Sequence, residues 1–220
     1  MFIRKMNKAV ILLALLSISA FAQDTFTDSR DGKKYKSVKI GKQTWMAQNL
    51  DYQGEDGKLG ECYGNKPENC EKSGRLYDWS TAMNIDANFN KEKWGGSAVK
   101  HQGICPKGWH LPDTTEWQTL VDFAGGRELA VDKLKAKSGW DKCGNGTDEY
   151  GFSALPGGDG CGHTQFRNLR LEGAWWSTSE YTSHAADSRF MDHGVRLGGK
   201  GVYSSSGTKS ALLSVRCIKD

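Results

Sequence analysis

The chain has 220 residues, of which 37% are apolar, 25% charged and 10% aromatic. Its 27 glycines follow no three-residue period, and 8 Trp, 8 Phe and 7 Tyr are more aromatic residues than a disordered chain carries. The composition therefore excludes a collagen-like or a disordered protein. The formal net charge is +4, but three of the 30 basic residues lie in a leader that we expect to be removed, which leaves 27 basic against 26 acidic residues. A chain so evenly balanced lacks the basic excess of a general nucleic-acid binder.

The first 22 residues have the organisation of a secretory signal peptide. Arg4, Lys5 and Lys8 precede an apolar run that begins at Ala9 and ends in the small-x-small signature Ala20-Phe21-Ala22. The run of 14 residues (9–22) is shorter than the ~20 that span a bilayer, and no later segment is apolar enough to do so. We therefore expect cleavage near Ala22 and a bacterial protein that is secreted or held at the cell surface. Residues 23–220 are expected to form a single domain, with a core over about 28–220.

Six cysteines follow the leader, and an even number in an oxidising compartment predicts three disulfides. They are Cys62, Cys70, Cys105, Cys143, Cys161 and Cys217. Sequence does not choose among the 15 pairings that six cysteines allow. We expect the nested set Cys62–Cys70, Cys143–Cys161 and Cys105–Cys217. A metal centre is the alternative, but the chain has no Cys-x-x-Cys or His-Glu-x-x-His motif and its histidines show no ligand spacing.

The first predicted elements are a hairpin and a short helix. Tyr35–Ile40 and Gln43–Met46 flank the loop Gly41-Lys42, and a two-residue loop with glycine first is typical of a type II′ β-hairpin. Apolar residues at helical spacing after Gly74 predict a short amphipathic helix. These residues are Leu76, Trp79 and Met83.

A second helix is predicted more strongly. Asp113 can cap its first turn while Glu116 bonds back to it, and Gly125-Gly126 would end it. One apolar stripe at i, i+3, i+4 and i+7 follows the cap. It consists of Trp117, Leu120, Val121 and Ala124. We expect a third helix from Glu128 to about Lys137.

From Gly139 onward, Gly, Ser, Asn and aromatic residues dominate and apolar runs become short. Five short strands are predicted in this half: Phe152–Leu155, Trp175–Thr178, Arg189–Arg196, Gly201–Ser204 and Leu212–Ile218. A hairpin, two or three helices and then short strands joined by long loops indicate an α+β domain rather than alternating βαβ units.

Six stretches together resemble the Fibrobacter succinogenes major paralogous domain, a family of secreted bacterial surface proteins. They are Gln43–Leu50 (QTWMAQNL), Gly74–Trp79 (GRLYDW), Cys105–Pro112 (CPKGWHLP), Gly146–Gly158 (GTDEYGFSALPGG), Trp175–Glu180 (WWSTSE) and Ser214–Asp220 (SVRCIKD). The resemblance covers nearly all of residues 28–220, in order.

The family is in turn similar to the C-type-lectin-like fold, and particularly to its formylglycine-generating-enzyme branch, through Trp109–Trp117 and the closing Val215-Arg216-Cys217. This similarity implies paired N- and C-terminal strands, a couple of helices, small antiparallel sheets and a long loop-rich second half that carries ligands. The reactive cysteine pair of that branch would fall on Leu212 and Gly207. Since neither residue offers a thiolate, we expect no enzyme of that kind and no catalytic residues.

The expected function is therefore a non-catalytic binding or adhesion module that recognises an extracellular polysaccharide or a surface protein. Sugar faces pack on aromatic rings, and the implied fold presents its ligands in the second half. The candidate ligand contacts there are Trp175, Tyr181, Phe190, His193, Arg196 and Tyr203. The other large aromatics are expected in the core because such side chains normally bury. They are Trp45, Trp79, Trp109, Trp117 and Trp176.

Two alternatives stay open. A calcium-dependent carbohydrate binder needs convergent carboxylates, for which Asp148, Glu149 and Asp159 are candidates, although the lectin signatures Glu-Pro-Asn, Gln-Pro-Asp and Trp-Asn-Asp are absent. An extracellular hydrolase needs two carboxylates or a Ser-His-Asp set, and no Gly-x-Ser-x-Gly motif occurs. We thus expect no cofactor other than calcium.

Overall fold

A computed structural model describes residues 23–141, 144–162, 164–192 and 201–220. These ranges contain four α-helices: α1 (Pro67–Ser73), α2 (Trp79–Met83), α3 (Thr114–Phe123) and α4 (Arg127–Leu134). They contain the strands β1 (Gln23–Thr27), β2 (Lys34–Ile40), β3 (Gln43–Met46), β4 (Leu76–Tyr77), β5 (Trp109–His110), β6 (Asp159–Cys161), β7 (Gln165–Arg167), β8 (Glu172–Glu180), β9 (Ala185–Asp192), β10 (Gly201–Thr208), β11 (Ala211–Ser214) and β12 (Ile218–Lys219). Within them, no helix has the length and apolarity that crossing a bilayer requires.

The strands form two sheets in a mixed α+β architecture. The smaller sheet has the order β1-β2-β3-β12-β5, and the larger one β10-β9-β8-β11-β6-β7 with β4 paired to β11. All pairings are antiparallel except that of β11 with β8. The first and last strands share the smaller sheet, but β12 pairs with β3 and β5 rather than with β1. The terminal strands therefore lie in the same sheet, as expected, but the expectation that they pair directly with each other is wrong.

Two predicted elements are confirmed by their local geometry. Gly41 has φ 60° in the β2–β3 loop, the positive value that a hairpin turn of this kind needs at its first position. At the start of α3, Asp113 accepts from the backbone N–H of Glu116 (2.8 Å), and the Glu116 carboxylate accepts from the Asp113 N–H (3.0 Å). This capping box satisfies two backbone donors that would otherwise lack a partner.

Both of the other predicted helices have different bounds. The helix after Gly74 begins only at Trp79, since Asp78 caps it through Thr81 N–H (2.7 Å), while Leu76 lies on β4. The third helix ends at Leu134 rather than near Lys137, because Lys135 adopts an extended conformation. Apolar spacing alone does not locate these ends.

Two predicted strands are wrong in detail. Phe152–Leu155 forms only an isolated bridge at Ala154, and Ser153, with φ 53°, cannot continue an extended strand. Leu212–Ile218 is split into β11 and β12 because residues 215–217 cross from the larger sheet to the smaller one. Trp175–Thr178 and Gly201–Ser204 lie within the longer strands β8 and β10. The predicted Arg189–Arg196 begins inside β9, and its last residues lie outside the described ranges.

The expectation of a loop-rich second half is also wrong over much of its length. β8, β9 and β10, of nine, eight and eight residues, are the longest strands in the described residues. β10 reads GVYSSSGT, a composition with low strand propensity, yet it pairs with β9 residue for residue from Gly201 to Thr208. Here tertiary pairing overrides the local preference of serine and glycine.

The core confirms the five tryptophans that were expected to be buried, all at 5% exposure or less. β8 is a central strand covered on both faces, and its successive side chains point to opposite sides. Trp175 therefore enters one apolar cluster, with Trp45 and Trp117, while Trp176 enters the other, with Tyr77.

Two of the three expected disulfides are present, Cys62–Cys70 and Cys105–Cys217, with Cα–Cα distances of 5.0 and 5.9 Å. Cys161 is exposed and has no disulfide partner among the described cysteines. Cys143 lies outside the described residues, so the expected Cys143–Cys161 bridge stays a prediction.

A buried histidine links α3 to the end of the chain. His110, 1% exposed, contacts Glu116 Oε1 through Nε2 (2.8 Å) and Asp220 Oδ1 through Nδ1 (2.7 Å). Burial by itself would lower the pKa of His110, but the hydrogen bonds to these two carboxylates outweigh it and raise that pKa. The charged imidazole is therefore favoured in the folded state.

This arrangement predicts a pH dependence of stability. A raised folded-state pKa gives a contribution that is complete below the unfolded value of about 6.5 and is lost as the pH rises through the folded value. Urea unfolding between about pH 6 and pH 8 should show a steeper loss of stability in the wild type than in His110→Gln. In the exposed His184→Gln variant, the free energy of unfolding should fall with pH as steeply as in the wild type. An equally steep fall with pH in all three proteins would contradict the prediction.

Candidate functional site

Three of the six expected ligand contacts, Trp175, Tyr181 and Tyr203, have described side chains, and the structure does not bring these three together. Trp175 is 0% exposed, and its indole N–H donates to Asn49 Oδ1 (2.9 Å), so the prediction that it contacts ligand is wrong. The reason is the burial of β8 on both faces, which leaves no exposed position for either of its tryptophans.

Tyr181 and Tyr203 are both described but lie far apart. Tyr181 is 59% exposed at the β8–β9 turn, where its N–H bonds to Ala185 O. Tyr203 is in register with Phe190, five residues along β9 from Ala185, which corresponds to about 17 Å. The Arg127 guanidinium also lies 3.8 Å from the Tyr203 ring centroid. These two rings therefore do not form one aromatic surface.

The other three candidates are not placed. The Phe190 side chain, His193 and Arg196 lie outside the described residues, so their predicted role is untested.

The calcium candidates Asp148 and Asp159 already have partners. Asp148 accepts from Ser153 N–H and Oγ–H at 2.7 and 2.6 Å, and Asp159 bonds to Arg167 and Asn168, each at 2.6 Å. In the described parts of the chain, no group of three or more His, Cys, Asp or Glu could hold a metal ion.

A different site is visible at the surface, a cleft of about 570 Å³. Four segments distant in the sequence build it: the β1–β2 turn, the loop after Tyr52, the end of α2 at Asn84 and the loop before Cys105. We call it the Arg30 cleft, and its lining is Arg30, Tyr52, Gly54, Glu55, Asp56, Leu59, Asn84, Gln102, Gly103 and Ile104.

Arg30 is the fixed centre of this cleft. Its Nε and Nη2 donate to the Asp28 carboxylate (3.0 and 2.7 Å), and Nη1 donates to Ile104 O (2.8 Å). The guanidinium carbon lies 3.9 Å from the centroid of the Tyr52 ring. The contacts with Asp28, Ile104 and Tyr52 fix the orientation of the planar guanidinium, and this planar group with several donors is the usual advantage of arginine over lysine.

The electrostatics agree with a permanent ion pair. Burial would raise the pKa of Asp28, but the hydrogen bonds and charge of Arg30 dominate and lower it. For Arg30, burial opposes the charged form, but the Asp28 contacts prevail and raise its pKa. Both groups thus stay ionised, and one charge compensates the other.

Polar side chains with hydrogen-bonding capacity surround this flat surface. Glu55 and Asp56 are exposed on a loop closed by the bond from Leu59 N–H to Gln53 O (2.9 Å). Asn84 is exposed at the end of α2 in the left-handed conformation (φ 52°, ψ 50°).

A second amide of the lining is that of Gln102. Its Nε2 donates to Cys105 O (3.1 Å), which fixes the side chain. The described lining contains two carboxylates and two amides but no His, Ser or Cys side chain. It can accept from and donate to vicinal hydroxyl groups, while half-buried Leu59 offers apolar surface.

The model of the Fibrobacter succinogenes major domain matches residues 38–219. The chain belongs to this family. No curated protein and no solved structure matches the chain. The Fibrobacter succinogenes major domain match includes every residue of the cleft lining except Arg30, which precedes it.

Sequence reasoning missed the Arg30 cleft because its residues belong to no motif. Arg30 and Ile104 are 74 residues apart and meet only through a side-chain bond to a backbone oxygen. The one available signal was glycine: Gly54 and Gly103 both have positive φ and lie in loops of the lining. That signal predicts tight turns but not that the turns converge.

Proposed function

We propose that this member of the Fibrobacter succinogenes major domain family is an exported, non-catalytic module that binds polysaccharide through the Arg30 cleft. The observation that carries the proposal is the planar guanidinium of Arg30 fixed 3.9 Å from the centroid of the Tyr52 ring, among two carboxylates and two amides. A sugar ring has an apolar face and a rim of hydroxyl groups that both donate and accept. Such a ligand matches a flat surface bordered by planar oxygen and nitrogen groups.

The proposal includes the location and the finer fold. The leader ending at Ala22 and the two disulfides support export into an oxidising compartment. The shared sheet of the terminal strands and the bridge Cys105–Cys217 support a C-type-lectin-like arrangement. A surface protein is the alternative ligand, and calcium dependence or glycan hydrolysis are the alternative activities.

Binding of residues 23–220 to soluble cello-, xylo- and mannohexaose and to insoluble polysaccharide tests the proposal. Asn84→Gly removes the amide and keeps a residue that tolerates positive φ. Gln102→Ala removes the second amide. Each of these two single changes should raise the Kd for the bound glycan about fivefold to tenfold, which is the effect of losing one hydrogen bond. Asn65→Gly is the matched control, since Asn65 is also exposed with φ 58° but lies outside the cleft lining.

Failure to bind any glycan, or an unchanged Kd in the Asn84→Gly/Gln102→Ala double variant, would overturn the proposal. Release of reducing ends that stops in Glu55→Gln or Asp56→Asn would instead make the cleft catalytic. Binding that disappears with a calcium chelator would favour the calcium-dependent alternative.

A further inference from the structure

A second concave surface runs along α1. It consists of two adjoining hollows of about 200 and 300 Å³, which share Lys72, Ser73 and Leu155. The two hollows meet at these shared residues, and together we call them the α1 groove. Half-buried Leu155 lies at its middle, with Pro156 and half-buried Leu169 toward one end.

The groove is positively charged. Its charged lining residues are four cations and two carboxylates: Lys33, Lys34, Lys72, Arg170, Asp51 and Glu71. Asp51 is contacted by two cations, Lys33 Nζ at 2.6 Å and Arg75 Nε at 3.2 Å, so this corner keeps an excess positive charge.

The remaining lysines add to this excess. Lys34 and Lys72 are exposed, and within the described ranges neither takes part in an ion pair. Arg170, at the far end, pairs with Asp141 (2.7 Å) on the surface. The two free ammonium groups therefore border an apolar floor and can bind an anion there.

The groove adjoins the Arg30 cleft. Lys33 follows Arg30 by three residues, so their Cα atoms are at most about 11 Å apart. Asp51 lines the groove while its neighbour Tyr52 lines the cleft. A single extended polymer could therefore contact both surfaces across the β1–β2 turn.

We propose that the α1 groove binds the carboxylate groups of an acidic polysaccharide, one that carries uronate sugars, as a second subsite of the same ligand. This rests on the proposed function, because continuity with the Arg30 cleft is what favours a polysaccharide over an acidic peptide. The ammonium groups of Lys34 and Lys72 pair with the carboxylates, and half-buried Leu155 and Leu169 contact the apolar face of a sugar ring.

The test compares an oligogalacturonate hexamer with the same hexamer fully methyl-esterified, in which a methyl group on each carboxyl removes its charge. The acid form should bind about tenfold more tightly, and this difference should shrink in high salt, which screens exposed charges. Lys34→Gln/Lys72→Gln should remove the difference and leave Kd for the ester within about twofold. Lys39→Gln/Lys107→Gln, which removes two exposed lysines outside the groove, should preserve it.

Equal affinity for the two hexamers, or equal losses in both double variants, would overturn the groove proposal while leaving the Arg30 cleft intact. Binding of the acid form that depends on Lys34 and Lys72 but not on Asn84 or Gln102 would instead overturn the cleft and preserve the groove. Tighter, lysine-dependent binding of a polyglutamate peptide than of the oligogalacturonate would identify an acidic peptide as the occupant and overturn the polysaccharide.

Discussion

Replacing Cys105 and Cys217 together by alanine is expected to lower the free energy of unfolding by about 4–5 kcal/mol. The bridge joins residues 112 apart, and in the chain-entropy description a cross-link over so long a loop restricts the unfolded chain most. The bridge also holds the chain next to the last strand. Cys217 directly precedes β12, and its backbone oxygen accepts from Met46 N–H (3.0 Å) of the neighbouring strand β3. Alanine is chosen because both cysteines are fully buried and serine would bury a hydroxyl group.

Denaturant unfolding under non-reducing conditions measures this effect. The control is Cys62→Ala/Cys70→Ala, whose bridge spans only eight positions and should contribute about 2–3 kcal/mol. Equal losses in the two double variants would contradict the prediction, because loop length would then not determine the contribution. An unchanged midpoint for Cys105→Ala/Cys217→Ala would show that β12 is held without the bridge.

Arg216→Met is expected to cost about 3–4 kcal/mol. Arg216 is fully buried and donates to Asn49 Oδ1 and to the backbone oxygens of Phe152 and Ser153. Burial lowers the pKa of Arg216 to about 9, against the opposing charge of Asp148, so the folded state holds this cation at an energetic cost. Methionine fills similar volume but leaves the buried oxygens without their donor.

Two further variants separate the hydrogen bonds from the charge. Arg216→Lys keeps a cation but cannot reach the same oxygens with a forked group, so it should lose about 1–2 kcal/mol. Arg167→Met removes an arginine that is 57% exposed and paired with Asp159, and should cost less than about 1 kcal/mol. If urea unfolding gave the same loss for Arg216→Met and Arg167→Met, Arg216 would not be the connection between segment 152–153 and the C-terminal strand.

Features fixed by neighbouring residues could be predicted from the sequence. The Gly41 turn and the capping box of Asp113 with Glu116 each depend on residues within a few positions, and both are confirmed. The bridge Cys62–Cys70 is local in the same sense. The bridge Cys105–Cys217 was also expected, but the sequence did not exclude the other pairings of the six cysteines. Only the fold shows that Cys105 lies beside Cys217.

Features that depend on long-range convergence could not be predicted. Trp175 and Trp176 are adjacent and identical, and the sequence pattern assigned one to a ligand and the other to the core, whereas coverage of β8 on both faces buries both. Similarly, the Arg30 cleft exists because Arg30 donates to a carbonyl oxygen 74 positions away. Neither the burial of Trp175 nor the bond from Arg30 to Ile104 O can be predicted from the residues next to it in the sequence.

The most direct test of saccharide binding at the Arg30 cleft is an amide chemical-shift titration of isotope-labelled residues 23–220 with the neutral hexasaccharide of highest affinity. Saturable shifts should concentrate at Tyr52–Leu59, Asn84 and Gln102–Ile104. Shifts that concentrate instead around Tyr181 or Tyr203 and leave these three segments unchanged would contradict it.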